Sequence, residues 1–379
     1  MTIEFVSEIY YIAMIAVSAY FLFMSAINIL DMQCNTSSPK LKSGPLVSVL
    51  IPARNEEKHI EQCLHSLLNQ DYENYEILVI DDNSTDATYE ILSRFAEQHP
   101  KIRVFQGKPL PSDWFGKPFA LQQLSAHAQG EIFLFTDADT IHRPTSLSWA
   151  VTNLAETNSD FISGYVRQVL KTFGERITVP IMFFLTGFII PMFLSKFVKS
   201  GYFSAAVGQY IVIRRNVFNA TKGFEPYKKI TSEDIYMARY IKTQGYKTEF
   251  LDMTEQVVCR MYEGYIAAIE GIGKNVYDFL GKRPPLLLLI ALLIFLFFFL
   301  PFPMLIYALI DGYSFLPQLI TVNSLFTLTW LVLFLGRRIS WYNAFLWPLL
   351  YCNLFYMVLW SFYRTVSGRG FLWKGRIVN

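Results

Sequence analysis

The heptapeptide LFTDADT, residues 134–140, places two aspartates one residue apart at the end of an apolar run. In an extended strand, residues i and i+2 point to the same side, so Asp137 and Asp139 converge while Ala138 turns away. Two carboxylates at one point repel each other unless a cation lies between them, and such oxygen ligands suit Mg²⁺ or Mn²⁺ shared with a diphosphate. The pair therefore predicts a metal site that holds a phosphate. A helix-capping aspartate beside a solvated one is the simpler alternative.

A second acidic cluster follows another apolar run. The sequence EILVIDDNSTD places Asp81 and Asp82 at the end of a predicted strand. There the Asp82 carboxylate can accept hydrogen bonds from a nucleobase or ribose, whereas a turn closed by capping side chains is the alternative. Asp86 is expected only to begin the next helix.

Both clusters lie within an alternating pattern of strands and helices. The pattern predicts strands at 46–52, 76–80, 102–105 and 132–136 and helices at 55–69, 86–98 and 118–129, and it predicts a strand, turn and helix within 208–224. Such alternation indicates an α/β domain with a mainly parallel sheet covered by helices on both faces. Ligands bind these sheets at the carboxyl ends of the strands, where PARNEE (52–57) and both acidic clusters lie.

The composition places this domain in a membrane protein. Of 379 residues, 53% are hydrophobic and 17% are charged, which is more apolar than an ordinary soluble enzyme. Uncharged runs long enough to cross about 30 Å of hydrocarbon as helices lie at 9–30, 284–310, 312–336 and 339–363. We therefore predict an integral, multi-pass membrane protein. The net charge of +2 gives no indication of nucleic acid, and none is expected as a partner.

The predicted domains are a transmembrane anchor at 1–33, the α/β domain at 45–283, a transmembrane region at 284–363 and a basic tail at 364–379. The first run is expected to be a retained anchor rather than a signal peptide, because no Lys or Arg precedes it. Residues 177–195 are uncharged but short and contain two prolines, which favours helices on the membrane surface over a crossing. A core helix is the alternative.

Basic residues in short flanking loops indicate the cytoplasmic side of a membrane. Lys40 and Lys42 follow the first run, and Lys282 and Arg283 precede the second. The α/β domain is therefore predicted to face the cytoplasm at the cell membrane, with the loop near Asp311 outside. If all four runs cross the membrane, the basic tail also lies outside. Alternatively, the run at 339–363 enters the membrane and returns to the same side.

Four motifs together resemble the family 2 glycosyltransferases with the GT-A fold. VSVLIPARNEE, EILVIDDNSTD, FTDADT and SEDIYMARYIKTQGY occur in the order and rough spacing of that family between residues 46 and 262. The resemblance implies a Rossmann-like GT-A domain with a metal-binding DxD at Asp137 and Asp139 and a general base at Asp234. It also implies a nucleotide pocket formed by Pro52, Arg54, Glu56 and Asp82. Lys117 and Arg260 are plausible further phosphate contacts, with simple solvation as the alternative.

The membrane architecture, the stretch DWFGKPFAL (113–121) and the sequence WKGR (373–376) are similar to the lipid-directed branch of that family, whose acceptors are carotenoids, hopanoids or glycerolipids. Processive polysaccharide synthases carry QxxRW, whereas here Gln256 and Arg260 stand four apart and Met261 replaces Trp. That difference argues against processive chain growth.

The resulting hypothesis is an inverting, Mg²⁺- or Mn²⁺-dependent transfer of a sugar from a nucleotide sugar to a membrane lipid hydroxyl, with a UDP-sugar as the expected donor. Such a transfer needs charge neutralised on the departing diphosphate and a base for the acceptor proton. Alternatives are a polyprenyl-phosphate sugar synthase, a polysaccharide synthase and, from another class, a non-catalytic membrane protein that binds nucleotide sugars.

Overall fold

The computed structural model describes residues 3–279, 283–373 and 376–378. Lys282 and Lys374, which the sequence argument uses, lie outside the described residues. The chain divides into two compact units. The helical unit contains Met1–Leu30, Leu170–Pro191 and Met261–Asn379, and the sheet unit contains Asp31–Val169 and Met192–Arg260.

The strands occur mostly in the sheet unit. In chain order they are β1 (Val47–Ala53), β2 (Tyr75–Asp81), β3 (Ile102–Gln106), β4 (Ile132–Thr136), β5 (Thr140–His142), β6 (Phe161–Tyr165), β7 (Arg167–Gln168), β8 (Tyr210–Arg214), β9 (Thr248–Asp252), β10 (Val257–Cys259), β11 (Phe371–Trp373) and β12 (Arg376–Val378). The last two pair as an antiparallel hairpin.

The α-helices occur in both units. In chain order they are α1 (Ile3–Cys34), α2 (Ile60–Leu68), α3 (Thr88–Gln98), α4 (Gly116–Ser125), α5 (Ser146–Glu156), α6 (Phe173–Arg176), α7 (Arg215–Ala220), α8 (Glu233–Thr243), α9 (Tyr265–Phe279), α10 (Pro284–Ile294), α11 (Pro301–Asp311), α12 (Leu316–Gly336) and α13 (Trp347–Val366). Short 3₁₀ or π turns lie at Val179–Phe183, Leu185–Ile189, Met192–Lys196, Gly201–Phe203, Glu225–Tyr227, Phe295–Phe299 and Trp341–Leu346.

The main sheet has seven strands in the order β3-β2-β1-β4-β8-β6-β9. Strands β3, β2, β1 and β4 are mutually parallel, whereas β8 runs antiparallel to both β4 and β6. Parallel strands are buried on both faces, which is why β1, β2 and β4 read as continuous apolar runs in the sequence. The mainly parallel α/β fold expected from the sequence is confirmed. A smaller sheet has the order β5-β10-β7.

An aromatic core lies against β4 on one face of the main sheet. Phe133 and Phe135 point to this face because they are two residues apart, and both ring centroids lie 5.4 Å from that of Phe218. Phe224 packs against Phe135 at 5.2 Å. Each fully buried phenylalanine contributes about 1.5–3 kcal/mol of hydrophobic stabilisation. The end of β4, where Asp137 follows, is thus held on a well-packed strand.

Within the described residues, four helices are long and apolar enough to cross a membrane: Val6–Cys34, Pro284–Asp311, Leu316–Gly336 and Trp341–Val366. They coincide with the four uncharged runs of the sequence. The first helix extends a few residues beyond the carboxyl end of the predicted run. In the second, the π turn at Phe295–Phe299 lies directly before Pro301, where a missing amide would otherwise interrupt the helix.

The uncharged segment at 177–195 forms short irregular turns rather than a pair of regular helices. Within the helical unit, Phe183 and Phe188 of this segment are buried. The Asn28 amide of α1 donates hydrogen bonds to the carbonyls of Thr186 and Ile190 at 3.2 and 2.8 Å. Prolines at 180 and 191 account for the irregularity, since each lacks an amide donor.

Candidate active site

The candidate site lies at the carboxyl ends of β1, β2 and β4, which the parallel pairing brings to one edge of the sheet. The loops after β1 and β2 are joined directly, because the Asp82 amide donates to the Ala53 carbonyl at 2.8 Å. Arg54 strengthens this junction. Its Nη1 donates to the carbonyls of Asp82 at 2.5 Å and Asn83 at 2.9 Å. Arg54 and Asp82 are therefore neighbours, as the motif suggested, although this contact runs through the backbone.

The remaining residues of the predicted nucleotide pocket lie near the end of β1 and in the same two loops. Pro52 lies in β1 opposite Ile80, and the Glu56 amide donates to Thr88 Oγ1 at 2.8 Å. Asp82 is only 5% exposed. The predicted helix at 55–69 begins at Ile60 because the preceding residues are used in these loop contacts.

The two aspartates of DAD lie in a turn, so the extended geometry expected from the sequence is wrong. Strand β4 ends at Thr136 and β5 begins at Thr140. The Thr140 hydroxyl and amide donate to the Asp137 carbonyl at 2.7 and 3.3 Å, which closes the turn. The chain reverses here because β5 leaves the main sheet and pairs with β10. Even so, Ala138 is buried while Asp137 and Asp139 remain partly exposed.

A buried polar network lies beneath this turn, and the sequence analysis missed it. Thr136 Oγ1 lies 3.1 Å from His142 Nε2 and donates to the Gln209 carbonyl at 2.9 Å. His142 Nδ1 lies 3.2 Å from Ser146 Oγ. Burial lowers the pKa of His142 to about 3, so the imidazole is neutral. The threonines that bracket DAD and the histidine two residues after the second threonine were the available signals.

Lys117 lies between two acids of the site. Its Nζ is 2.6 Å from Asp137 Oδ1 and 3.6 Å from Glu233 Oε1. Burial lowers the pKa of Lys117, but the neighbouring carboxylates of Asp137 and Glu233 outweigh burial and raise the pKa overall. The ammonium group therefore stays charged. This arrangement connects the DAD turn with the start of α8.

Asp234 lies in the first turn of α8 and is held by two backbone amides. Gly208 donates to Asp234 Oδ2 at 2.7 Å, and Ile235 donates to Oδ1 at 2.8 Å. Burial raises the pKa of the Asp234 carboxyl, and the Lys117 charge and both hydrogen bonds oppose that rise only in part. A raised pKa makes a carboxylate a better proton acceptor. The side chain of Ser232, the residue before this helix, makes no cap hydrogen bond.

Gly208 marks the point where these groups meet. A Cβ atom added there would lie 2.9 Å from Lys117 Nζ and 3.3 Å from Asp234 Oδ2. The lysine and the aspartate thus flank the same short stretch of backbone. No motif in the sequence pointed to this glycine.

Arg260 directly follows β10. In the antiparallel register Cys259 pairs with Thr140, the residue that closes the DAD turn, so Arg260 directly follows this pair. Gln256 is placed differently: its Oε1 accepts a hydrogen bond from Thr145 at 2.8 Å. The structure thus brings Arg260 to the DAD turn and gives Gln256 a packing role.

Residues 48–221 match the family described as glycosyl transferase family 2. They form a family 2 glycosyltransferase domain. Within this chain, 214 residues are 29% identical to "Probable glycosyltransferase YdaM" of Bacillus subtilis and cover 55% of this chain and 50% of that protein. A shorter stretch of 99 residues is 41% identical to "Beta-monoglucosyldiacylglycerol synthase" of Nostoc sp. and covers 26% of this chain and 21% of that protein. The matches therefore span half or less of these relatives.

The fold is also similar to a solved structure, a mannosyltransferase from Pyrobaculum calidifontis in complex with GDP-Man and Mn²⁺. The TM-score is 0.58 at 20% sequence identity, and the match covers 93% of this chain and 99% of that one. At this identity the likeness shows the shared GT-A fold. It extends over the glycosyltransferase domain and most of the rest of the chain.

The carboxylate oxygens of the glycosyltransferase domain fit a divalent ion whose remaining ligands come from a phosphate. Among the described residues, no group of three or more His, Cys, Asp or Glu side chains could hold a metal alone. Two carboxylates supplemented by phosphate oxygens and water are the usual ligands of Mg²⁺. The buried thiols nearby are poor ligands, because burial raises the pKa of Cys63 to about 12 and that of Cys259 well above its ordinary range.

Proposed function

We propose that this protein transfers a sugar from a nucleotide sugar to a hydroxyl group of a membrane lipid, with inversion and with the help of Mg²⁺ or Mn²⁺. The observation that carries the proposal is the position of Lys117, which contacts Asp137 of the DAD turn and Glu233 beside Asp234. Groups suited to a departing diphosphate and a group suited to an acceptor proton thus share one site.

The donor side consists of the three loops at the strand ends. Asp139 and Asp137 would hold the metal ion, which when bound neutralises charge on the diphosphate. Lys117 and Arg260 are positioned to add positive charge at the same turn. Pro52, Arg54, Glu56 and Asp82 would form the nucleotide pocket, in which the buried Asp82 carboxylate can accept hydrogen bonds from the nucleoside. A UDP-sugar is the expected donor.

The acceptor side consists of Asp234. Its carboxylate would take the proton of the acceptor hydroxyl while the hydroxyl oxygen forms a bond to the anomeric carbon. The bond from that carbon to the diphosphate oxygen breaks, and the electron pair leaves with the diphosphate. A single displacement of this kind inverts the configuration of the sugar. The raised pKa of Asp234, caused mainly by burial, suits this duty.

A membrane lipid is the proposed acceptor because four helices of this chain can cross a membrane. The resemblance to a protein named as a monoglucosyldiacylglycerol synthase supports a lipid hydroxyl. The proposed organisation keeps the transmembrane anchor, the glycosyltransferase domain at 45–283 facing the cytoplasm, the transmembrane region at 284–363 and the basic tail. The cell membrane is the proposed location.

Mass spectrometry of lipids from cells with and without the chain would test this proposal. We expect one class of neutral or glycerolipid glycoside to depend on the chain, and to be lost with Asp234→Asn. Mild acid treatment on thin-layer plates distinguishes the alternative, because a polyprenyl-phosphate sugar is acid-labile and a lipid glycoside is much less so. An acid-labile product would show that the acceptor is a lipid phosphate rather than a lipid hydroxyl.

A further inference from the structure

A short apolar surface projects from the sheet unit between Ser195 and Phe203. Phe197, Val198 and Tyr202 are 78%, 37% and 75% exposed, and we call these three side chains the wedge. Large apolar side chains clustered on a surface usually mark an interaction site. The wedge lies outside every loop of the candidate active site, so the sugar-transfer proposal does not account for it.

The base of the wedge is fixed at the end of a candidate membrane span. Lys196, the residue before Phe197, forms an ion pair with Asp31. Asp31 lies in the last turn of α1, whose stretch Val6–Cys34 is long and apolar enough to cross a membrane. The start of the wedge is therefore attached to the last turn of α1, whose residues from Asp31 onward belong to the sheet unit.

The other side of the wedge is fixed on α8. The Lys242 ammonium donates to the Ser195 carbonyl. Gly201 lies so close to the helix that an added Cβ would be 2.9 Å from the Arg239 carbonyl oxygen, and the Arg239 guanidinium lies 5.8 Å from the centre of the Tyr202 ring. The exposed side chains thus project from a firmly attached backbone.

Positive charge surrounds the wedge. Lys199 is exposed within it, and a cleft of about 520 Å³ beside it is lined by residues that include Lys196, Lys242 and Lys247. Three nearby acids contact lysines: Asp31 contacts Lys196, Glu156 lies 2.5 Å from Lys40, and Glu249 lies 3.8 Å from Lys247. Apolar side chains bordered by lysines are typical of surfaces that lie in the headgroup region of a membrane.

We propose that the wedge inserts into the surface of a bilayer that contains anionic phospholipids, with Lys199 facing the lipid phosphates. Tyrosine favours this interface because its ring is apolar and its hydroxyl is polar. The wedge then gives the glycosyltransferase domain a membrane contact in addition to the spans. Because it is fixed on α8, it also sets the height of Asp234 above the lipid. The inference holds whatever the acceptor is.

Local insertion can be measured in the full chain, which the spans keep in the membrane. A cysteine at Phe197, or separately at Tyr202, is labelled with an environment-sensitive fluorophore in a Cys34→Ser, Cys352→Ser background and reconstituted in nanodiscs containing phosphatidylglycerol. Lipids that carry a quencher near the headgroup should quench either label at least about twofold more than a label at Tyr89, an exposed aromatic residue of α3. Equal quenching at all three positions would overturn the proposal.

The charge is tested with Lys199→Glu. In nanodiscs with phosphatidylglycerol this variant should lower quenching at position 197 toward the level at Tyr89, and in pure phosphatidylcholine it should change quenching much less. An equal effect in both lipids would remove anionic lipid from the proposal. Energy transfer between labelled copies in one disc, without quenching by lipid, would show that the wedge binds a second copy and would also overturn it. Because no readout is sugar transfer, failure here leaves the proposed function untouched.

Discussion

Lys117 already supplies a positive charge to one of the two proposed metal ligands. Its Nζ lies 2.6 Å from Asp137 Oδ1, so a metal ion at Asp137 must compete with an ammonium group. Asp139 is the second aspartate of the motif that resembles a metal-binding DxD, and it follows the end of β4. We therefore expect Asp139 to be the stronger ligand of the pair.

Asp139→Asn should abolish transfer and weaken nucleotide binding in Mn²⁺ while the fold stays intact. The amide keeps the size of the side chain and removes the charge that attracts the ion. Transfer rate and Mn²⁺-dependent nucleotide affinity are the measurements, with Asp86→Asn as the control because Asp86 accepts hydrogen bonds from the Glu57 and Thr88 amides and is not among the proposed metal or nucleotide ligands. A variant that kept more than about a tenth of the rate, a loss under roughly 1.4 kcal/mol, would contradict the metal role.

Asp234 and its neighbour Glu233 give a matched pair of variants. Loss of a base costs on the order of 10² to 10⁴ in rate, whereas loss of an acid at a helix start costs about 0.3–1 kcal/mol of stability. Asp234→Asn should therefore keep nucleotide-sugar affinity and melting temperature but lose transfer. Glu233→Gln should lose much less, although its contact with Lys117 at 3.6 Å makes some loss expected. Similar activities in the two variants would remove Asp234 from the mechanism.

The pH dependence of the rate follows from the groups around Asp234. Burial raises its pKa, Asp137 adds to the rise, and the Lys117 charge opposes it. A base acts only when deprotonated, so the rate should fall as the pH drops through this raised pKa. Lys117→Met removes the opposing charge and should move the acid limb of kcat/KM to higher pH, whereas Lys117→Arg should leave it in place. If the acid limb of kcat/KM is not shifted in Lys117→Met, a group other than Asp234 controls the pH dependence.

At the scale of elements, the segment before β8 must approach both α4 and α8 closely. Gly208→Ala would place a Cβ 2.9 Å from Lys117 Nζ. The flexible lysine can move away, so we expect an unchanged melting temperature but a rate loss of about tenfold or more as Lys117 leaves Asp137. To test whether the loss runs through Lys117, the rates of both single variants are compared with the rate of the double variant Gly208→Ala, Lys117→Met. If the loss runs through Lys117, the double variant is no slower than Lys117→Met alone.

The sequence predicted the first four strands of the main sheet to within one or two residues, because buried parallel strands are continuous apolar runs. It also predicted a strand and helix within 208–224, where β8 and α7 lie. It did not predict β6 and β9 of the main sheet. It also did not reveal β5, β7 and β10, which are two or three residues long and pair with distant parts of the chain. The reversal at DAD was missed for the same reason.

Within the candidate site, the motifs indicated the aspartates but could not show their partners. Lys117 and Glu233, and likewise Gly208 and Asp234, are brought together by the tertiary fold rather than by local spacing. The support of DAD by Thr136 and its neighbours depends on β8, which supplies no motif of its own. The sequence thus indicated the chemistry of the side chains but not the contacts between them.

At the scale of the whole molecule, the orientation in the membrane remains a prediction. Gln98 is exposed at the end of α3. A cysteine there, in a background without the exposed Cys34 and the half-buried Cys352, should react with a membrane-impermeant maleimide only after cells are opened. A cysteine at Asp311, in the loop predicted to lie outside, should react in intact cells. Labelling at position 98 in intact cells would overturn the cytoplasmic orientation.

The order of strands in the main sheet has a consequence for synthesis on the ribosome. Strand β8 lies between β4 and β6, yet it is translated after both and after residues 170–191, which belong to the other unit. A nascent chain that has completed β4 therefore carries an open sheet edge until β8 emerges. Unpaired edges invite pairing with other chains. Chaperone protection of this interval, rather than the stability of the finished fold, is expected to limit how much of the protein a cell can produce.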